Sequence, residues 1–168
     1  LYLFWYLLVL KLKAKKVVDL GSGNGRDTYL LGMEYDVIGV DPGAKPENRF
    51  KAIFEQKPWN KVKYTILESD IVYSRFFLHA IPSREVEEII TLTNGYFCAE
   101  ARAKGDKPEI YPRHKRYFVD GDWLIDRMRE NSFEILFFEK GRNLARYREE
   151  NPLVLRIIGK KYTKSHGT

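Results

Sequence analysis

The stretch that decides the fold is Lys16-Val17-Val18-Asp19-Leu20-Gly21-Ser22-Gly23-Asn24-Gly25-Arg26-Asp27-Thr28, and Val37-Ile38-Gly39-Val40-Asp41 follows it. Two apolar, β-branched runs that are joined through a glycine turn and a helical segment predict a strand, a helix and a second, parallel strand. In open α/β sheets, ligands bind at the carboxyl ends of the strands. The pattern therefore predicts a nucleotide-like ligand between the glycine turn and Asp41.

The glycine turn narrows the class of ligand. Gly21, Gly23 and Gly25 allow a sharp bend and bring backbone amides close to a ligand, because no Cβ stands in the way. The dinucleotide fingerprint has another glycine where Arg26 stands, and Asp41 lies about where that fold places the acidic residue that binds ribose hydroxyls. A ribose is therefore expected and a pyrophosphate is not, which argues against NAD and FAD.

The run from Val17 to Gly25, together with Val40-Asp41, resembles motifs I and II of class I S-adenosylmethionine-dependent methyltransferases. The resemblance implies an α/β, Rossmann-like class I methyltransferase sheet, mostly parallel with an antiparallel last strand, and helices on both faces. It also implies S-adenosyl-L-methionine as the cofactor. The residues that it assigns to cofactor binding are Asp19, Gly21, Ser22, Gly23, Asn24, Gly25, Asp41, Ser74 and Arg75. The alternative is a Rossmann-like domain that binds another nucleotide or none.

Within that resemblance, the two carboxylates have different partners. Asp19 helps to hold the amino group of the methionine part of the cofactor, and the glycine loop cradles that part. Asp41 takes the ribose hydroxyls.

Composition predicts one domain over residues 1–168, because the chain has 168 residues of which 44% are apolar. The single cysteine, Cys98, lies in an apolar run and predicts a buried thiol in a reducing, cytoplasmic compartment. The apolar run at residues 1–10 is shorter than the roughly 20 residues that span a bilayer, so it predicts a packing helix and no transmembrane segment. A net charge of +6 indicates an anionic partner.

Periodicity and turn residues predict the remaining elements. The predicted helices cover 2–13, 25–33, 47–56, 83–92 and 120–130, and the predicted strands cover 16–21, 36–41, 61–67, 70–76, 96–101, 133–139 and 153–159. The first helix is expected to cover one edge of the sheet, and the last two strands are expected to form an antiparallel pair.

The strands predicted over 61–67 and 70–76 conflict with each other. Only Glu68 and Ser69 separate them, whereas parallel neighbours need a crossover of about a dozen residues. Either 61–67 is a helix or loop, or a segment is missing near 60–70. The second explanation is favoured, because the resembled family normally carries more chain here, including the acidic residue that contacts the adenine amine. That contact is left unassigned.

The methyl acceptor is expected at the carboxyl ends of the strands over 70–76 and 96–101. His79 is a candidate general base, because an ordinary pKa of about 6.5 suits proton removal near neutrality. Its alternative is a histidine that only packs or forms hydrogen bonds. Glu100 is the second candidate base, and its alternative is an ion pair with Arg102 or Arg75. No metal site is predicted.

A basic loop follows the strand over 96–101. Its candidate substrate-binding residues are Arg102, Arg113, His114, Arg116 and Tyr117. Arginine forks suit phosphate or carboxylate, and tyrosine rings suit sugar or base faces. The loop therefore predicts an acidic or phosphorylated acceptor, and its alternative is a basic surface loop without a ligand.

The runs Tyr73 to Ile81, Glu100-Ala101-Arg102, Arg113 to Asp120 and Asn143 to Tyr147 resemble methyltransferase domains of bacterial polysaccharide and viral glycan pathways. This resemblance implies O-methylation of a sugar hydroxyl or of the terminal phosphate of a glycan, often beside a fused or partner glycosyltransferase or kinase domain. Alternatives are an RNA or other small-molecule methyltransferase and a non-catalytic binding or scaffold module. Ser74-Arg75-Phe76-Phe77 lacks the Asn/Asp-Pro-Pro-Tyr/Phe signature, which argues against methylation of adenine or cytosine amines.

Overall fold

The computed structural model describes residues 3, 6–7, 10–43, 53–106, 116–146 and 149–162. Within these residues, the strands are β1 (Lys16–Leu20), β2 (Asp36–Val40), β3 (Ile53–Glu55), β4 (Ile71–Arg75), β5 (Tyr96–Arg102), β6 (Phe133–Gly141) and β7 (Val154–Lys161). The helices are α1 (Arg26–Leu31), α2 (Lys63–Glu68), α3 (Ser83–Leu92) and α4 (Gly121–Glu130). Short 3-10 turns cover Trp59–Lys61 and Leu78–Ala80.

The described strands form one seven-stranded sheet in the order β3-β2-β1-β4-β5-β7-β6. The first five strands are parallel, and β7 is antiparallel to both β5 and β6. The strand order changes direction between β1 and β4, where an open sheet leaves a crevice at its carboxyl edge. The predicted α/β sheet with an antiparallel end is confirmed, and this crevice is the expected place for a ligand.

Alternate side chains of the central strands enter two apolar clusters, one on each face of the sheet, as the period of two requires. The cluster on one face includes Val18 and Val72 of the sheet with Ile66, Ile89 and Leu124 from α2, α3 and α4. The cluster on the other face includes Val17 and Ile71 with Leu31 of α1 and Leu3 and Leu7 of the amino-terminal segment. The fold is therefore helix layer, sheet, helix layer.

The amino-terminal segment differs from its prediction. Leu3, Tyr6 and Leu7 are helical, but Lys11 has a positive φ of 48° and residues 12–14 have no regular structure, so the predicted end at 13 is wrong. Leu3 and Leu7 are fully buried in the cluster on one face of the sheet, and Tyr6 stacks on Phe137 of the edge strand β6. Residues 1–2, 4–5 and 8–9 lie outside the described residues. No helix in the described part of the chain is long and apolar enough to cross a bilayer.

Residues 53–68 correct two predictions. Ile53–Glu55 is strand β3 beside β2, so the helix predicted over 47–56 is wrong at its end; residues 44–52 lie outside the described part. Lys63–Glu68 is helix α2, so the strand predicted over 61–67 is wrong as well. Because α2 connects β3 to β4, the conflict from which a missing segment was inferred no longer exists.

The other elements agree with their predictions. Helix α3 covers the predicted 83–92, and Asp120 caps α4 by accepting hydrogen bonds from the amides of Asp122 and Trp123. Gly32 ends α1, and Cys98 is a fully buried thiol. These segments hold the carboxyl ends of the parallel strands in place, and the candidate site lies at those ends.

Candidate functional site

The glycine turn after β1 has a conformation that glycine alone adopts easily. Gly21 and Gly25 have φ angles of 73° and 83°. A Cβ on Gly21 would lie 2.5 Å from the Cβ of Phe77, and a Cβ on Gly25 would collide with the ring of Phe54. At Gly23, in contrast, an added Cβ would contact no described atom within 4 Å. Protein packing thus explains two of the glycines, and Gly23 faces open space.

Asp41 is held against this turn by backbone amides. Its Oδ2 accepts a hydrogen bond from Gly23 at 3.1 Å, and its Oδ1 accepts one from Gly43 at 2.9 Å. Each carboxylate oxygen can accept more than one hydrogen bond, so hydroxyl groups of a ligand can still bind. The register of β2 with β3 brings Glu55 to the same edge, and the Asp41 amide donates to the Glu55 carbonyl at 3.3 Å. The Glu55 carboxylate pairs with Lys57 Nζ at 3.0 Å.

A cavity of about 120 Å³, which we call the turn cavity, lies beside the glycine turn. Its lining residues are Asp19, Gly21, Ser22, Asn24, Arg26, Asp27 and Arg75. Two carboxyl groups and two guanidinium groups thus meet in one small space. The hydroxyl of Ser22 is buried and has no hydrogen-bond partner among the described residues. The lining fits a zwitterionic amino-acid group, with an ammonium near the carboxylates and a carboxylate near the guanidiniums.

Asp19 lies at the bottom of the turn cavity, where its residue is 2% exposed. Burial raises the pKa of Asp19 to about 7, and the negative charges of Asp27 and Asp41 add to this effect. The Thr28 hydroxyl, which donates to its Oδ2 at 2.6 Å, acts in the opposite direction, as does Arg75. A carboxyl group in this state can gain a cationic partner, because a nearby positive charge favours its ionised form.

Asp27 and Arg75 form the wall of the turn cavity. Arg75 Nη1 lies 3.2 Å from both carboxylate oxygens of Asp27, and the Tyr73 hydroxyl donates to Asp27 at 2.9 Å. Arg75 also donates from Nε to Glu100 at 3.0 Å. These charge-assisted hydrogen bonds fix the Arg75 guanidinium at the carboxyl end of β4.

Glu100 connects this wall to the antiparallel end of the sheet. Its carboxylate accepts from Arg75 on one side and from Arg156 Nε at 2.5 Å on the other. Arg156 continues the network to Glu139 at 3.1 Å. Glu100 is 0% exposed, so it presents no surface to a substrate. The ion pair with Arg75 that was expected as the alternative for Glu100 is present, whereas Arg102 pairs with Asp106 and Glu150.

A second cavity of about 430 Å³, the arginine cavity, lies beside the turn cavity. Its charged and ionisable lining residues are Arg26, Arg75, His79, Arg102, Arg116, Arg146 and Glu150. Arg26 and Arg75 line both cavities, so the two spaces share a wall. Phe76, which also lines the arginine cavity, has a positive φ of 58°, a strained conformation of the kind found at ligand sites.

His79 is held in one orientation at the base of the arginine cavity. Its Nδ1 accepts a hydrogen bond from the Arg102 amide at 3.3 Å, and the residue is 7% exposed. Burial, together with the positive charges of Arg116 and Arg102, lowers the pKa of His79 to about 4. The neutral ring therefore has its lone pair directed at Arg102, and its Nε2 carries the proton.

The structure brings together His79, Arg102 and Arg116 of the predicted acceptor residues, and it adds Arg146 and Glu150. Tyr117 instead lines a separate cavity with Trp123. The Ser74 hydroxyl is buried without a partner among the described residues, and Ser74 lines neither the turn cavity nor the arginine cavity. Arg113 and His114 lie outside the described residues.

Several residues of the site were missed from sequence. Asp27 directly follows Arg26, but its partners Tyr73 and Arg75 are 46 and 48 residues away, so no local pattern could have revealed them. Glu55 was missed because its strand, β3, has only three residues and the sequence analysis predicted a helix there. An acidic residue at the end of an apolar run, as in Ile53-Phe54-Glu55, was the available signal.

The sheet order, the antiparallel end and the glycine turn together define the Rossmann-like fold of S-adenosylmethionine-dependent methyltransferases, and solved structures of such enzymes match this chain. No protein-family model and no curated protein sequence matches it.

Three of the similar structures show the range of the fold. An S-adenosylmethionine-dependent methyltransferase from Archaeoglobus fulgidus is 19% identical, with a TM-score of 0.68 and coverage of 95% of this chain and 91% of that one. The 1,6-didemethyltoxoflavin-N1-methyltransferase from Burkholderia thailandensis, solved with S-adenosylhomocysteine, is 18% identical, with a TM-score of 0.67 and coverage of 96% and 76%. Magnesium protoporphyrin IX methyltransferase from Synechocystis PCC 6803, solved with bound S-adenosylmethionine, is 14% identical, with a TM-score of 0.64 and coverage of 95% and 76%.

Proposed function

We propose that this protein is an S-adenosylmethionine-dependent methyltransferase. The observation that carries the proposal is the turn cavity, whose two carboxyl and two guanidinium groups match the zwitterionic end of the cofactor. Asp19 and Asp27 would hold the ammonium, and Arg26 and Arg75 would hold the carboxylate. The bound cofactor would supply an electrophilic methyl group on a sulfonium, and the protein's task is to align it with an acceptor.

The ribose and the adenine of the cofactor would lie along the adjoining edge of the sheet. Asp41, oriented by the amides of Gly23 and Gly43, would accept hydrogen bonds from the ribose hydroxyls. Glu55 is our candidate for the acidic residue at the adenine, because it ends β3 opposite Val40, and its carbonyl accepts the Asp41 amide at the same edge of the sheet. Both assignments need only the backbone geometry of the parallel strands.

The acceptor that we propose is a sugar hydroxyl or a terminal phosphate of a glycan, methylated on oxygen. Support comes from the arginine cavity, which shares Arg26 and Arg75 with the turn cavity and is large enough for a sugar-sized group. Its guanidinium groups suit a phosphate or carboxylate on the acceptor.

Calorimetric titration with S-adenosylmethionine tests the cofactor assignment. Wild-type protein is expected to bind, and Asp41→Asn is expected to bind about 10-fold to 100-fold more weakly, because a hydrogen bond to a charged group contributes about 1.5–3 kcal/mol. Asp36→Asn is the matched control: it makes the same change in charge at the start of β2, at the far end of the strand that Asp41 follows, on a side chain that is 69% exposed. Absence of binding to folded wild-type protein would favour the scaffold alternative.

His79→Gln is expected to lower turnover by less than about tenfold, whereas loss of a general base typically costs about 10²-fold to 10⁴-fold. The physical reason is that the His79 Nδ1 lone pair already accepts the Arg102 amide proton, and the ring stays neutral across the working range of pH. The measurement is kcat at saturating acceptor from pH 5 to 9.

A control for His79 comes from the shape of that pH profile. The lowered pKa predicts that kcat shows no step near pH 6.5 that depends on this ring. If wild-type kcat falls below pH 6.5 and His79→Gln abolishes both the step and the turnover, then His79 is the base after all.

A further inference from the structure

The arginine cavity is lined mainly by cations. Five guanidinium groups line it, from Arg26, Arg75, Arg102, Arg116 and Arg146. Asp27 and Glu100 pair with Arg26 and Arg75, and Asp106 and Glu150 pair with Arg102. These cations come from α1, β4, β5 and the loops before α4 and β7, so they converge from different parts of the fold. Such convergence favours an anionic group inside the cavity.

Among the described residues that line the same cavity, no side chain is placed to remove a proton. Among its described lining residues, the groups that could accept a proton are His79 and Glu150. The His79 lone pair accepts the Arg102 amide, and the Glu150 carboxylate is bound by the Arg102 guanidinium at 2.6 Å. Glu100 is enclosed between Arg75 and Arg156 and does not line the cavity. Methylation of a neutral hydroxyl needs such a base, whereas methylation of an oxyanion does not.

We infer that the atom methylated in the arginine cavity is an anionic oxygen of a phosphate monoester or a carboxylate, and that the protein uses guanidinium groups instead of a general base. This inference rests on the proposed function. In the transfer, a lone pair of the acceptor oxygen forms the new O–C bond while the C–S bond breaks, and the bonding pair of electrons goes to sulfur. One negative and one positive charge are neutralised, the product is a methyl ester, and no proton is released.

Within this arrangement, the guanidiniums have two tasks. Arg116 and Arg146 line the arginine cavity but not the turn cavity and would fix the anion, whereas Arg26 and Arg75, in the shared wall, would orient it toward the turn cavity. His79 would donate from Nε2 to an acceptor oxygen. Each of these groups donates hydrogen bonds, so a neutral alcohol would satisfy few of them.

The first test is binding of inorganic phosphate, measured by calorimetry without cofactor. Arg116→Gln and Arg146→Gln are each expected to weaken binding by about tenfold or more, because each removes a charge-assisted hydrogen bond. Arg129→Gln, on the exposed side of α4, is the matched control for the loss of one positive charge and should leave the affinity unchanged. Thermal melting confirms that each variant is folded.

The second test compares galactose, galacturonic acid and galactose 1-phosphate as acceptors at pH 8, where a phosphate monoester is a dianion because its second pKa is about 6. One or both anionic sugars should be methylated without proton release, as followed with a pH indicator, and comparison of the two identifies phosphate or carboxylate as the group recognised. Methylation of galactose itself, with one proton released per turnover, would overturn the inference.

The two proposals fail in different ways. If the protein binds no S-adenosylmethionine, the proposed function fails, whatever the phosphate titration gives. If it binds the cofactor but phosphate affinity is equal in wild type, Arg116→Gln and Arg146→Gln, the inference on the acceptor fails and the cofactor assignment stands.

Discussion

Asp19→Asn is expected to stabilise the folded protein at pH 8 and, at the same time, to remove most of its affinity for S-adenosylmethionine. Both effects have one cause. Asp19 is a buried carboxyl whose pKa is raised from 3.8 to about 7, so above pH 7 the fold contains an ionised group with too little compensation. An asparagine keeps the shape and can still accept from Thr28, but it carries no charge to attract an ammonium.

The size of the stabilisation follows from the pKa. A rise of about three pKa units at 1.36 kcal/mol each corresponds to at most about 4 kcal/mol at pH 8. Between pH 4 and 7 the folded state holds the Asp19 proton while the unfolded state releases it, so this group makes stability fall as the pH rises. The advantage of Asp19→Asn should therefore shrink as the pH is lowered from 7 and disappear near pH 4.

Urea unfolding of wild type and variant at pH 8, 6 and 4 measures this difference. His79 contributes a slope of the opposite sign, because its pKa is lowered and stability is lost as the pH falls below 6.5, but it is present in both proteins and cancels. Affinity for the cofactor should fall about 10-fold to 100-fold in the same variant. A variant that is less stable at pH 8, or that binds the cofactor normally, would contradict the role given to Asp19.

How much of the fold was predictable depends on how local its signals are. The unit from Lys16 to Asp41 was predicted because apolar runs, glycines and a terminal carboxylate all lie within one short stretch. Helix α2 was missed because its alternating residues resemble a strand, although Ile66 and the capping residue Val62, four positions before it, are buried on one side. Tertiary burial overrode local propensity there. Strand β3 was missed because three residues at a sheet edge are too few to show the alternation of apolar and polar residues that predicts a strand.

The candidate site, like the fold, could be predicted only where its contacts are local in the sequence. Asp19, Asp41 and the glycines, proposed together from sequence, lie at one edge because the turn itself brings them together. The contacts of Arg75 with Asp27 and of Arg156 with Glu100 span 48 and 56 residues, and the order of β1, β4, β5 and β7 in the sheet creates them. Sequence alone therefore proposed Glu100 as a base, while the assembled sheet encloses it between two guanidiniums.

Glu100→Gln is expected to destabilise the protein by about 3–5 kcal/mol, because removal of one partner of a buried ion pair leaves uncompensated charge. Here two guanidiniums would be affected, since Arg75 and Arg156 both contact this carboxylate and Arg156 is 1% exposed. Against a total stability of about 5–15 kcal/mol, such a loss is easily seen by urea unfolding. Glu139→Gln is the control: this carboxylate also pairs with Arg156 but is 28% exposed, and its loss should cost at most about 1 kcal/mol.

The same variant separates a structural role of Glu100 from a catalytic one. If Glu100 were the general base, Glu100→Gln would be as stable as wild type and about 10²-fold to 10⁴-fold slower. If it is instead the centre of the ion network, adding Arg156→Met to Glu100→Gln should recover part of the lost stability, because an apolar side chain replaces a buried guanidinium whose remaining carboxylate partner is the partly exposed Glu139. Arg75 would then keep Asp27 but lose Glu100 as a partner at the shared wall, and phosphate affinity would fall together with stability in Glu100→Gln, an outcome that a base confined to proton removal would not produce.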